Sequence, residues 1–180
     1  MDKVITVFDK EFEVYITEAE IADRVKEIAS QMNKELRDTN PVFLPILNGS
    51  FFFASDLLRD IDFTYELSFV KISSYEGLQS GPELKMLIGL DESLANRNII
   101  IVEDIVDSGK TIFELKKQLK EIHVSDIKVA TLVLKPASLT YPVTPDYVGF
   151  EAADEFLIGY GLDFDKKGRH FKDIYKIKAH

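Results

Sequence analysis

A chain of 180 residues, 46% of them apolar and 29% charged, is long enough to bury a sizeable core and has the balance of a soluble globular domain. Its net charge of −9 lacks the basic footprint that nucleic-acid binding needs, and no apolar run reaches the length of a membrane span. With no cysteine there is no disulfide framework, thiol nucleophile or thiolate metal site, and the opening Met1-Asp2-Lys3 starts no secretory signal. Cytoplasmic residence is therefore expected. His123, His170 and His180 are scattered and suggest no metal cluster.

In chain order, Thr17-Glu18-Ala19-Glu20 reads as a capping box opening a helix, with apolar positions at Ile21, Val25, Ile28, Ala29, Met32 and Leu36. Residues 42–47 form a short strand, followed by the loop Asn48-Gly49-Ser50 and a helical segment over 51–58. Residues 66–72 read as another strand, and 85–90 is expected to pair nearby. Between them, residues 73–83 hold two glycines, a proline and three serines, the composition of a mobile loop. Residues 98–102 are the central strand, 112–120 have helical spacing, and 127–134 form the next strand. Shorter strands are expected at 147–150 and 156–158. Strands alternating with helices predict an α/β fold with a parallel, doubly wound sheet. The chain is expected to form one domain over 1–180, with a core at about 20–150 and a small hood from its terminal segments.

Chemistry concentrates where the central strand ends. Ile99-Ile100-Ile101-Val102 runs into Glu103 and Asp104, then a third carboxylate, Asp107, and the small turn Ser108-Gly109-Lys110-Thr111 before a helix. In an open α/β sheet the ligand crevice lies beyond the carboxyl ends of the strands. Free N–H groups at such a turn and helix N-terminus suit a phosphate monoester. The acidic pair suits vicinal hydroxyls or a hydrated Mg²⁺. Phosphate beside sugar hydroxyls describes a ribose 5-phosphate. A nucleotide P-loop would share Gly109-Lys110-Thr111, but it needs a glycine where this chain has Asp104. The P-loop is excluded.

Residues 102–111 closely resemble the phosphoribosyl-pyrophosphate (PRPP) motif of type I phosphoribosyltransferases. The ordering of the flanking segments resembles the hypoxanthine-guanine branch, from about residue 41 to 172. The resemblance implies the type I fold, a central parallel sheet flanked by helices with a small hood, and a purine salvage reaction. In it the phosphoribosyl group of PRPP passes to hypoxanthine or guanine, with Mg²⁺ (or Mn²⁺) as cofactor. It also implies roles for residues. Ser108, Gly109, Lys110 and Thr111 would hold the 5′-phosphate. Glu103 and Asp104 would face the ribose hydroxyls and a metal-bound water. Asp107 would exchange a proton with purine N7, a task of position.

By the same resemblance Asn48 and Gly49 lie on the pyrophosphate loop. Some members carry a lysine at the place of Asn48, so this loop would rely on backbone amides at Gly49 and Ser50. Ser74 and Tyr75 would close over the pyrophosphate and exclude water. Lys135 would donate to O6 of a 6-oxopurine, Phe156 would stack on the base, and Leu157 would offer main-chain contacts to its edge. Asp163 would serve as a second metal ligand near the base, and Arg169 would grip pyrophosphate with its bidentate fork. Lys71, Lys110, Lys135 and Arg169 would locally offset the −9 charge toward a polyanionic substrate. The partners implied are small molecules and further copies of the chain, as homodimer or homotetramer. Other readings are a 6-oxopurine enzyme that uses xanthine, a regulatory protein on the same fold, and a bare nucleotide-binding module. The set Asp107, Lys135, Phe156, Asp163 and Arg169 favours working chemistry.

Overall fold

The computed structural model describes residues 4–75, 83–90 and 92–178, with backbone alone at 73–75, 83–88 and 92. Eleven strands and three α-helices are seen among them. In chain order these are β1 (Val4–Val7), β2 (Lys10–Ile16), α1 (Glu18–Glu35), β3 (Pro41–Leu47), α2 (Phe51–Arg59), β4 (Glu66–Leu67) and β5 (Val70–Tyr75). Then come β6 (Glu83–Ile88), β7 (Asn98–Val106), α3 (Lys110–Glu121), β8 (Asp126–Leu134), β9 (Tyr147–Glu151), β10 (Leu157–Ile158) and β11 (Ile174–Ile177).

The main sheet has the order β6-β5-β3-β7-β8-β9, with β4 also beside β3. All its pairings are parallel except β5 with β6. Both faces of such a sheet are covered, which is why β3 and β7 read as near-continuous apolar runs. Period-two alternation divides β7 between two cores. Ile100 and Val102 pack with Phe43, Phe53 and the α1 residues Val25, Ile28 and Met32. Ile99 and Ile101 pack with Leu44, Val129 and the α3 residues Leu115 and Leu119. Helix α1 begins as expected: Thr17 Oγ1 accepts from the Glu20 N–H, and the Glu20 carboxylate accepts from the Thr17 N–H at 2.8 Å.

From β3 the chain winds toward β5, whereas from β7 it winds through α3 toward β8 and β9. The winding therefore reverses between the neighbouring strands β3 and β7, and a crevice opens at their carboxyl ends. The loop after β3 carries Asn48 and Gly49, and the end of β7 carries the carboxylates. Topology brings the two together.

A second, antiparallel sheet has the order β1-β2-β11-β10. It joins the two ends of the chain around Val7, Phe12, Ile158 and Tyr175. The strands β1, β2 and β11 had been expected only as irregular terminal segments. The alternation Phe12-Val14-Ile16 was their signal. Three other boundaries differ from expectation. The strand over 66–72 is interrupted at Ser68, whose N–H donates to the Phe43 carbonyl at 3.0 Å, so β4 and β5 are separate. The expected loop over 73–83 is strand as far as Tyr75 and again from Glu83, in an antiparallel ribbon. Finally, β7 does not stop at Val102: Ile105 and Val106 keep it paired with β8. The acidic pair thus lies within the strand.

Candidate active site

The turn from β7 into α3 begins with Asp107 and Ser108. Gly109 stands at the N-cap with φ +82°, a left-handed conformation that favours glycine. The Lys110 N–H donates to Ser108 Oγ at 3.3 Å, curling the turn on itself. The Ser108 carbonyl accepts from the N–H groups of Thr140 and Tyr141, each at 3.1 Å. Leu139 and Val143 lie against Gly109 on the same side. This brace, carried by the segment after β8, had no motif in the sequence. The turn encloses a small cleft of about 90 Å³ lined by Glu103, Asp107, Ser108, Gly109, Lys110 and Thr111. A larger cavity of about 260 Å³, with Ile21, Phe52 and Tyr160 in its wall, lies apart from these groups, and its lining lacks the phosphate turn.

Glu103 and Asp104 are both buried. Burial, then the neighbouring Asp104 charge, holds the Glu103 carboxyl well above the usual carboxylate range. Burial raises Asp104 too, opposed by its hydrogen bonds with Glu103 and the Ile105 N–H and by the Arg169 charge. Glu103 Oε2 has no hydrogen-bond partner. A buried carboxylate oxygen without a donor is a hard oxygen ligand aimed at nothing, which fits a Mg²⁺ or Mn²⁺ ion with its water. Among the described residues no group of three His, Asp or Glu side chains gathers to hold an ion by itself. Asp163 is accordingly not clustered with the pair.

The loop Asn48-Gly49-Ser50 lies directly against Asp104. The Leu47-Asn48 peptide is cis. A Cβ on Gly49 would overlap the Asp104 carboxylate, so only glycine allows the loop this close. On its other side the Gly49 carbonyl occupies the space a Cβ on Gly161 would need. Gly161 was not singled out in the sequence. Its role becomes visible only when the C-terminal segment is seen against the loop.

Lys135, one residue beyond β8, is buried, unlike the solvated strand-end lysine its position suggests. Its Nζ lies 3.1 Å from Asp107 Oδ2 and 3.5 Å from Asp154 Oδ1. Asp154, in the link from β9 to β10, is a second residue the sequence did not point to. Phe156 follows it and remains 44% exposed, with its ring against Phe12 and Phe164. Leu157 is buried in β10. Asp163 is engaged twice: Oδ2 accepts from the Lys166 N–H at 2.7 Å, and Oδ1 pairs with Arg169 Nη2 at 2.7 Å. Arg169 Nη1 also donates to the Gly161 carbonyl at 2.6 Å. Ser74 and Tyr75 end β5, but their side chains lie outside the described ones.

A parallel sheet whose winding reverses above an acidic pair and a glycine-bearing turn into a helix is the architecture of a type I phosphoribosyltransferase. The chain belongs to the phosphoribosyl transferase domain family, whose model matches residues 15–165. It is 37% identical over 166 residues to a hypoxanthine-guanine phosphoribosyltransferase of Bacillus subtilis, covering 92% of each chain. It is 35% identical over 168 residues to the hypoxanthine phosphoribosyltransferase of Escherichia coli K12, covering 92% of this chain and 94% of that one. Among solved structures, a hypoxanthine phosphoribosyltransferase from Staphylococcus aureus superposes with a TM-score of 0.87 at 33% identity, covering 92% and 91% of the two chains.

Proposed function

We propose that the protein is a purine salvage enzyme that transfers the 5-phosphoribosyl group of PRPP to hypoxanthine or guanine. The nucleoside 5′-monophosphate and pyrophosphate are its products. The relatives are named for this activity. The observation that supports it most is Lys135 Nζ, buried beside Asp107 at the edge of the phosphate cleft. A 6-oxopurine with its proton on N7 offers an acceptor at O6 and a donor at N7, and this pair meets them with a cation and a carboxylate. Adenine carries an amino donor where O6 would be, which an ammonium repels.

In the reaction the C1–oxygen bond to pyrophosphate breaks with its electron pair leaving on the pyrophosphate, and the C1–N9 bond forms. Ser108, Gly109, Lys110 and Thr111 hold the 5′-phosphate by backbone N–H groups and hydroxyls. Phe156 stacks on the base and the main chain near Leu157 meets its edge, which orients N9 toward C1. As N9 bonds to C1, the proton on N7 passes to the Asp107 carboxylate, which leaves the base of the product neutral. Asn48 and Gly49, with Arg169, hold the departing pyrophosphate, and Ser74 and Tyr75 cover it against water. Glu103 and Asp104 on one side, and Asp163 separately, would hold Mg²⁺, which would supply charge neutralisation for the departing pyrophosphate.

The whole chain acts as one unit, the terminal sheet β1-β2-β11-β10 forming a hood over the crevice. Phe51 and Phe52, exposed on α2 just after the pyrophosphate loop, support association with further copies of the chain as a dimer or tetramer. Among the described residues no helix is long and apolar enough to cross a membrane. We place the enzyme in the cytoplasm. A PRPP-dependent assay for conversion of hypoxanthine to its monophosphate tests the reading directly. Absence of product with PRPP, Mg²⁺ and each 6-oxopurine would remove it.

A further inference from the structure

We infer that Asp154 is a positioning residue for the purine, the carboxylate that keeps Lys135 aimed once Asp107 is occupied by the base. The inference rests on the function proposed above and goes beyond it to a residue that has no role there. Lys135 is 6% exposed, and an ammonium so withdrawn from water needs a compensating negative group. Among the described residues two carboxylates supply it. Asp107 Oδ2 is at 3.1 Å and Asp154 Oδ1 at 3.5 Å, approaching Nζ from different elements. Asp107 follows β7, and Asp154 sits on the link between β9 and β10.

The two partners differ in what happens to them when a base arrives. Asp107 turns to purine N7 and carries a proton during the reaction, so its charge toward Lys135 is not constant. The purine gives Lys135 only O6, a neutral acceptor. Asp154 is the remaining charge. It is largely exposed and two residues before Phe156, so it holds the ammonium from the solvent side without taking up room that the ring needs. Asp154 thus prevents Lys135 from collapsing entirely onto Asp107, where the two would block the place of O6 and N7.

The test is steady-state kinetics of Asp154→Asn, Asp154→Glu and Glu155→Gln beside the unaltered protein, with calorimetric binding of the monophosphate product as a second readout. Glu155→Gln removes the neighbouring negative charge and serves as the control. Asp154→Asn is expected to raise KM for hypoxanthine and for guanine by about three- to tenfold, in keeping with one partly exposed ion pair to a buried cation. kcat and KM for PRPP should change less than twofold, a split that general destabilisation would not produce. Product affinity should fall by about the same factor as KM rises. Asp154→Glu should recover most of both, and Glu155→Gln should resemble the unaltered protein. Unchanged KM and product affinity in Asp154→Asn, in an active enzyme, overturn the role of Asp154 alone. An equal effect from Glu155→Gln overturns it too, by assigning the change to general charge. If the unaltered protein neither converts nor binds these compounds, the functional reading and this inference fall together.

Discussion

Lys135 Nζ and Asp107 Oδ2 lie 3.1 Å apart across the carboxyl ends of β8 and β7. The group assigned to O6 and the group assigned to N7 therefore neutralise each other in the free protein. Lys135→Ala is expected to lower kcat/KM for hypoxanthine and guanine by roughly 10- to 100-fold, the worth of a hydrogen bond from a charged donor. Discrimination against adenine should shrink with it, since a buried polar contact is what rejects the wrong partner. Competition among the four purine bases checks this, and adenine used as well as hypoxanthine by the unaltered protein would sink the assignment of Lys135.

Asp107 has a different signature. Asp107→Ala removes the group proposed to take the N7 proton and leaves the Ser108-Gly109-Lys110-Thr111 turn with its braces from Thr140 and Tyr141. Turnover should fall by about 10²–10⁴-fold while the affinity for PRPP changes little. Pre-steady-state rates with calorimetric PRPP binding separate the two quantities. Near-normal turnover would reduce Asp107 to a residue of the turn.

The framework of the fold was legible in the sequence because its signals are local: the Thr17–Glu20 capping box, the apolar runs of β3, β7 and β8, and the carboxylates before a glycine-bearing turn. The end of β7 is not legible in the sequence, since Ile105-Val106 continues the ladder past two charges that would end an isolated strand. What escaped notice depends on contacts distant along the chain. Asp154 matters through Lys135, and Gly161 through Gly49, and neither relation leaves a periodicity or a motif. The burial of Lys135 belongs to the same class, because only the packed sheet shows it.

Gly49 provides a test of the loop over the acidic pair. A Cβ there would stand within the Asp104 carboxylate, so Gly49→Ala must shift either the loop or Asp104. A displacement of about 1 Å at such a site costs on the order of 10²-fold in rate. The expected result is a fall of that size in kcat with PRPP, with the far-ultraviolet circular dichroism unchanged. Full activity would mean that the loop does not rest on Asp104 during turnover.

Glu103 and Asp104 make stability depend on pH in a defined direction. Burial raises both carboxyls, so the folded protein keeps protons that the unfolded chain gives up above the ordinary carboxylate range near pH 4. Metal-free stability from this pair is therefore greatest at or below that range. It declines as pH rises toward the raised folded values. Calorimetric melting in a chelator should show Glu103→Gln gaining on the unaltered protein as pH increases from about 4 to 8. Added Mg²⁺ should raise the melting point of the unaltered protein more at pH 8 than at pH 6, because binding needs the ionised form. The same increment in Glu103→Gln would move the ion elsewhere.

Arg169 joins two tasks through the geometry of its fork. Nη1 donates to the Gly161 carbonyl at 2.6 Å while Nη2 meets Asp163 Oδ1 at 2.7 Å. The first bond ties the guanidinium to the turn that packs on Gly49, and so to the loop after β3. The second holds Asp163, which would otherwise be free to engage an ion. A lysine keeps the charge but has no planar fork, so it cannot serve both acceptors in fixed directions. Arg169→Lys should therefore behave as a loss and not as a conservative change. It should raise KM for PRPP by about tenfold, the scale of one charge-assisted hydrogen bond, with a smaller effect on KM for hypoxanthine. Because the lysine no longer competes firmly for Asp163, the Mg²⁺ concentration at half-maximal rate should fall in the variant. Titrating Mg²⁺ at saturating PRPP measures this. A higher Mg²⁺ requirement in Arg169→Lys would show that Arg169 supports metal binding by Asp163 instead of opposing it.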